Sequence, residues 1–176
     1  MGGAYVLAPQ TPDRWMTYIE DDDQTSGSYY TAALMGLIES YVEANPSIDT
    51  NRIYIGGCSN GGYMTMEMIL TYPGFFAAAY PICEAYADDA ITDEQLEGIR
   101  NLPTMYSIPT IDRLRAMEGD VHVSVFEYVM DTSGLYANDD GTPYQYAGHW
   151  SWIYFFNNEC MADGITIWEW LAGQSR

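Results

Sequence analysis

Apolar and polar positions follow two rhythms along the chain. Runs of strand length stand at Ala4 to Ala8 (AYVLA), which is continuously apolar, at Arg52 to Ile55 (RIYI), β-branched and aromatic after its arginine, and at Phe75 to Cys83 (FFAAAYPIC). Between them, apolar residues recur every three or four positions, the spacing of one helix face. Leu34, Leu37, Ile38, Tyr41 and Val42 form such a stripe from Tyr30 onward, and Asn45-Pro46 stops it. Asn60 to Tyr72 is apolar on nearly every side, which predicts a buried helix whose methionines fill core space. Thr92 with Gln95, and Thr166 with Glu169, have the spacing of helix capping boxes. Leu102 to Ser107 reads as a brief strand, Pro109 to Met117 as a helix with Ile111, Leu114 and Met117 inward, and Val121 to Val129 as an alternating strand. The 18 residues from Asp131 to Gly148 read as one long loop rich in Gly, Tyr, Asp and Asn; loops of that length in compact domains are usually functional. His149 follows it and opens an aromatic helix, WSWIYFF. Alternating strands and helices predict an α/β fold, a parallel sheet covered by helices on both faces, in a single domain.

Charge narrows the partners. Asp and Glu number 25 against six basic residues, all arginine, for a net charge of −19. Such a chain repels nucleic acid and anionic membranes, so neither is expected as a partner. Glu20-Asp21-Asp22-Asp23 lacks the alternating spacing of a cation loop and reads as a solvated surface segment, and no metal or cofactor is expected. Cys58, Cys83 and Cys160 match no zinc spacing; free thiols are the default, and Cys83 with Cys160 is the pair to test for a bridge. The first residues carry no basic segment or cleavage site of an export signal, so a cytoplasmic location is the default, or a secreted one if the true N-terminus lies upstream.

The chemistry concentrates at Arg52 to Gly62, RIYIGGCSNGG. A G-x-S-x-G pattern between a strand and a helix is the sequence form of a nucleophile elbow, in which a tight turn lifts the serine hydroxyl out of the sheet. Ser59 is the candidate nucleophile. A serine hydroxyl needs a base, almost always histidine, with a third group to fix its tautomer. Of the two histidines, His122 lies within the alternating strand, where a structural role is expected. His149 follows the last strand, and the order serine first and histidine last fits an α/β-hydrolase arrangement.

The segments GAYVLAPQTPDRWM, NRIYIGGCSNGGYM, FFAAAYPICEAY and GHWSWIYFFNNEC resemble the α/β-hydrolase superfamily. More narrowly they resemble bacterial esterases of the polyhydroxybutyrate depolymerase and feruloyl esterase type, related to prolyl oligopeptidase-like hydrolases. The resemblance implies a serine carboxylic ester hydrolase acting on a small-molecule or polymer-linked ester, with Ser59 as nucleophile, His149 as base, and the Asn60 backbone N–H as one oxyanion donor. It also implies a shortened α/β-hydrolase fold over residues 1–176, lacking the family's N-terminal strands and the His-Gly loop that supplies the second oxyanion donor. With a neighbouring strand missing, Ala4 to Ala8 must shift across the sheet, or an apolar edge stays open to another chain, a second copy included. The family's aspartate after the strand resembling Leu102 to Tyr106 has no counterpart, as in a remnant of a longer chain whose acid lay at that junction. Glu84 is the first substitute, since some hydrolases of this fold place their acid there, and Asp131 is the second. Among the loop aromatics, Trp15 and Trp150 are the candidates for stacking on substrate. Two rivals remain: a weakened or inactive relative serving as a binding or assembly module, and a peptidase of the prolyl oligopeptidase type, against which the lack of a propeller-like repeat counts.

Overall fold

The computed structural model describes residues 3–16, 27–102, 108–162 and 164–176. The acidic run Glu20 to Asp23 and most of the strand expected over Leu102 to Ser107 lie outside the described residues. The centre is a pair of parallel strands, β1 (Tyr54–Cys58) and β2 (Ala78–Ile82), in register from Tyr54 opposite Ala78 to Cys58 opposite Ile82. The ladder extends at both ends, where Ala77 N–H donates to the Ile53 carbonyl and Ser59 N–H to the Ile82 carbonyl, both at 2.8 Å. Between these strands runs α2 (Asn60–Thr71), the crossover that parallel strands require.

Helices cover both faces. On one side α1 (Thr31–Ala44), α2, α3 (Asp93–Ile99) and α4 (Ile108–Ala116) contribute a core that takes Ile53, Ile55 and Ala79 from the strands. On the other, α5 (Trp152–Phe156) and α6 (Ile167–Gly173) pack on Tyr54, Cys58, Ala78, Tyr80 and Ile82. The two-residue alternation of strand side chains thus feeds two cores from one pair of strands. Every residue from Gly62 to Leu70 is buried, as the all-round apolar pattern of α2 predicts. Burying side chains such as Met66, Met68 and Ile69 contributes about 1.5–3 kcal/mol each. Both predicted capping boxes are formed, at the starts of α3 and α6. The chain end is tied to the sheet: Tyr54 Oη donates to the Gln174 carbonyl at 2.9 Å, and the Arg52 guanidinium donates to the Ala172 carbonyl.

Several expectations are corrected. Ala4 to Ala8 forms no strand; Tyr5 and Val6 are 52% and 81% exposed. This segment runs past α1 instead, with Tyr5 Oη against Ser47 Oγ at 2.5 Å and its ring edge-on to Tyr41. Apolar content alone does not make a strand; its backbone groups must also meet a strand edge, and this segment lies along α1. Among the described residues β1 pairs only with β2. Leu37, expected to face inward from α1, is exposed. The strand expected over Val121 to Val129 shrinks to β3 (Tyr128–Met130), and the long loop after it contains β4 (Gln145–Ala147), which pairs antiparallel with β3. A small hairpin of β5 (Met161–Ala162) and β6 (Ile165–Thr166) precedes α6. No helix among the described residues is long and apolar enough to cross a membrane.

Candidate active site

The site lies at the carboxyl ends of β1 and β2, where open α/β sheets bind their ligands. β1 ends at Cys58, and the next residue, Ser59, takes φ 56° and ψ −111° before α2 begins at Asn60. This turn is tight: a Cβ on Gly57 would lie 2.5 Å from the Gly61 carbonyl carbon, so glycine at position 57 is demanded by backbone contact. As the first residue of α2, Asn60 presents an N–H with no intrahelical acceptor. Its side chain is fixed by the Trp15 N–H, which donates to Oδ1 at 2.7 Å.

The segment after β2 runs beside this turn. Cys83 has φ 47°, and Glu84 follows it with its Cα and Cβ against Gly62, where an added Cβ would lie within 2.9 Å of both atoms. Glu84 Oε2 accepts the Tyr86 N–H at 2.5 Å.

His149 arrives from the other side. After β4 the chain enters a short 3-10 turn, Gly148–Trp150, held over β3 by the Gly148 N–H, which donates to the Glu127 carbonyl at 3.1 Å. The Cys83 thiol docks this turn onto the end of β2, with Sγ 3.1 Å from Ser151 Oγ and 3.4 Å from the His149 carbonyl. A cleft of about 390 Å³ opens here, lined by Pro81–Glu84, 123–126, Gly148, His149 and Ser151. Glu84 and His149 therefore share one cleft. Ser59 is not in its lining and adjoins it through Ile82, and among the described residues neither the Ser59 hydroxyl nor the His149 imidazole makes a hydrogen bond.

The remaining candidates fall elsewhere. Asp131, just past β3, accepts the Ser133 N–H at 2.7 Å and the Ser133 hydroxyl at 2.5 Å. The Ser133 hydroxyl above all, aided by the N–H groups of Ser133, Gly134 and Tyr136, holds its carboxyl below the usual range against a smaller opposing effect of desolvation. Asp131 Oδ1 thus serves its own loop. Desolvation, followed by the Asp131 charge, raises the Tyr146 phenol above its ordinary value, and the Tyr146 ring stacks at 5.0 Å on Trp150. Trp150, 42% exposed, joins Tyr146 and Trp152 in an aromatic row beside His149. Trp15 lines a second cleft with Pro9, Pro12, Tyr30 and Leu34, next to Asn60. His122 does not lie in a strand; Nε2 is 3.1 Å from Asp120 Oδ1 and the ring meets Trp170 edge-on at 5.2 Å, a structural setting.

The three cysteines are free. Burial, and secondarily the neighbouring Cys83, pushes the Cys58 thiol up to about 11. Among the described residues no group of three or more His, Cys, Asp or Glu is placed to hold a metal ion. Read from the sequence, Cys83 is only half of a bridge to test with Cys160, and Gly148 has no role. For Gly148 the adjacent Gly-His pair was the available signal; for Cys83 there was none, because its partners lie 65 or more positions away.

Known proteins are similar to this chain in sequence and fold. The prolyl oligopeptidase family model matches residues 19–103. Poly(3-hydroxyalkanoate) depolymerase C of Paucimonas lemoignei is 35% identical over 83 residues, which are 44% of this chain and 20% of that protein. A thermostable esterase of known structure superposes with a TM-score of 0.67 and 26% identity over 93% of this chain and 41% of its own. The chain thus spans well under half the length of these two relatives. With parallel strands joined through α2 and helices on both faces, the chain has an α/β-hydrolase fold and is similar to hydrolases and esterases that share it.

Proposed function

We propose that this chain is a serine carboxylic ester hydrolase that works through an acyl-enzyme on Ser59. The observation that carries the reading is the backbone of Ser59. A non-glycine residue at φ 56°, ψ −111° costs about 1–3 kcal/mol, and such strain collects at functional positions. Here it stands where a strand hands over to a helix, on a serine.

In this reading His149 accepts the Ser59 proton as Oγ attacks the ester carbonyl carbon. The carbonyl electron pair moves onto oxygen, facing the Asn60 N–H, a contact worth about 3 kcal/mol to the transition state. As the tetrahedral adduct collapses, the C–O bond to the alcohol breaks and the imidazolium returns its proton to the leaving oxygen. Water then repeats the sequence on the acyl-enzyme and frees the acid. Glu84 is the group that orients His149, supported by their shared cleft. Asp131 is the less favoured acid, because its Oδ1 accepts two hydrogen bonds from Ser133 and the residue is not in the lining of that cleft. Trp150, beside His149, and Trp15, beside Asn60, offer apolar faces to the acyl and alcohol parts of the ester.

Hydrolysis of p-nitrophenyl acetate and labelling by a fluorophosphonate probe test the proposal. Wild type is expected to turn over and to label, Ser59→Ala to do neither, and His149→Ala to lose about 10³-fold or more in kcat. A folded wild-type protein that neither turns over nor labels refutes the reading and favours a binding or assembly role. For the acid, Glu84→Gln is expected to lower kcat about tenfold or more, and Asp131→Ala to leave it within a few-fold. The reverse pattern transfers the role to Asp131.

A further inference from the structure

Glu67 takes no part in the chemistry above, and its setting asks for a reason. It lies in α2, is 8% exposed, and forms no ion pair among the described residues. Its Oε2 accepts the Tyr86 hydroxyl at 3.0 Å, and its Oε1 lies 3.0 Å from Thr31 Oγ1 of α1, whose single proton is shared with the Ser28 carbonyl at 2.9 Å. Neutral donors offset only part of the cost of taking a carboxylate out of water.

Tyr86 connects this carboxylate to the cleft. Its ring stacks on Tyr63 of α2 at 4.8 Å, its phenol donates to Glu67, and its backbone N–H donates to Glu84 Oε2. Burial, followed by the nearby Glu67, raises the Tyr86 phenol well above its ordinary value, so the hydroxyl keeps its proton and remains a donor. At the other end of this short segment, Glu84 rests its Cα and Cβ on Gly62. The 84–86 turn is therefore fastened at both ends to α2, the helix that Ser59 heads.

We infer that Glu67 and Tyr86 form a positioning brace, holding the turn that carries Glu84 so that its carboxylate faces the cleft it shares with His149. The inference rests on the reading of Glu84 as the orienting acid. Glu67 and Tyr86 act through Glu84 and touch no substrate.

The test is a double-mutant cycle in the whole protein, reading kcat and KM for p-nitrophenyl acetate alongside thermal melting. Glu67→Leu removes the acceptor, Tyr86→Phe removes only the phenolic oxygen and is the milder variant, and Glu67→Gln keeps an acceptor for Tyr86. In the otherwise wild-type chain, Glu67→Leu and Tyr86→Phe are expected to lower kcat about three- to tenfold with KM within about twofold, and Glu67→Gln to stay within about twofold in kcat. In a Glu84→Gln background the same changes are expected to cost less than about twofold, since nothing remains to be positioned. Equal losses in both backgrounds, or a lowered melting temperature with kcat unchanged, overturn the brace and leave the acid assignment standing. If Glu84→Gln by itself leaves kcat unchanged in a folded protein, the acid assignment fails and the brace falls with it.

Discussion

Gly148→Ala separates placement of His149 from overall stability. Gly148 stands where β4 passes into the turn that carries His149. A Cβ built on it lies 2.1 Å from the Phe126 carbonyl oxygen and 3.1 Å from that of Glu127. Contacts at Cβ are ordinary from 3.4 Å outward, so the turn or the 126–127 backbone must yield about 1.3 Å. Both sides of the clash are main chain, so no side-chain rotation relieves it. Overpacking of this kind costs about 1–3 kcal/mol, a fall in melting temperature of roughly 3–10 °C for a chain of this size. The kinetic effect is larger, because a shift of about 1 Å in a catalytic group costs on the order of a hundredfold. The assay is kcat/KM for p-nitrophenyl acetate at a temperature where the variant is fully folded by circular dichroism, with Gly173→Ala, whose added Cβ meets nothing within 4 Å, as the control. A folded Gly148→Ala within about threefold of wild type in kcat/KM refutes the claim that this contact sets the position of His149.

Two further predictions concern the core and its thiols. Burial pushes Cys58 and Cys160 from the ordinary value of 9.0 up to about 11, with smaller contributions from Cys83 and Glu159 respectively, so iodoacetamide should modify both at pH 8 about a hundredfold more slowly than an unhindered thiol until urea unfolds the chain. A folded-state pKa above the unfolded value means that the unfolded chain loses its protons first, so the urea midpoint should fall as pH rises from about 9 toward 11, with Tyr63, pushed up to about 12 chiefly by burial, extending the decline; a flat or rising midpoint contradicts the burial of these groups. Gly36→Ala, exposed inside α1 with open space at its Cβ, should stabilise the protein by about 0.5–1 kcal/mol in urea titration, and a destabilisation of that size would show a contact on this face that the fold lacks.

Features legible in the sequence are those decided by residues a few positions apart. The capping boxes at Thr92 and Thr166 form because donor and acceptor lie three residues from each other. The helical stripe after Tyr30 ends next to Asn45-Pro46 because proline denies the helix its next N–H. The Gly-rich turn around Ser59 follows from backbone contact between Gly57 and Gly61, four positions apart. What only the tertiary structure decided depends on residues far apart in the chain. Ala4 to Ala8 has a strand's composition and no strand, because pairing needs a neighbouring edge that composition does not supply. The stretch after Asp131 looked like loop until β4 met β3, since two three-residue strands are stable only through pairing. Cys83 on the His149 turn and Glu67 on Tyr86 are contacts between side chains brought together by the crossover through α2 and the return of the chain over β3. The serine turn is thus local chemistry written in consecutive residues, while its surroundings belong to the packing of the whole chain.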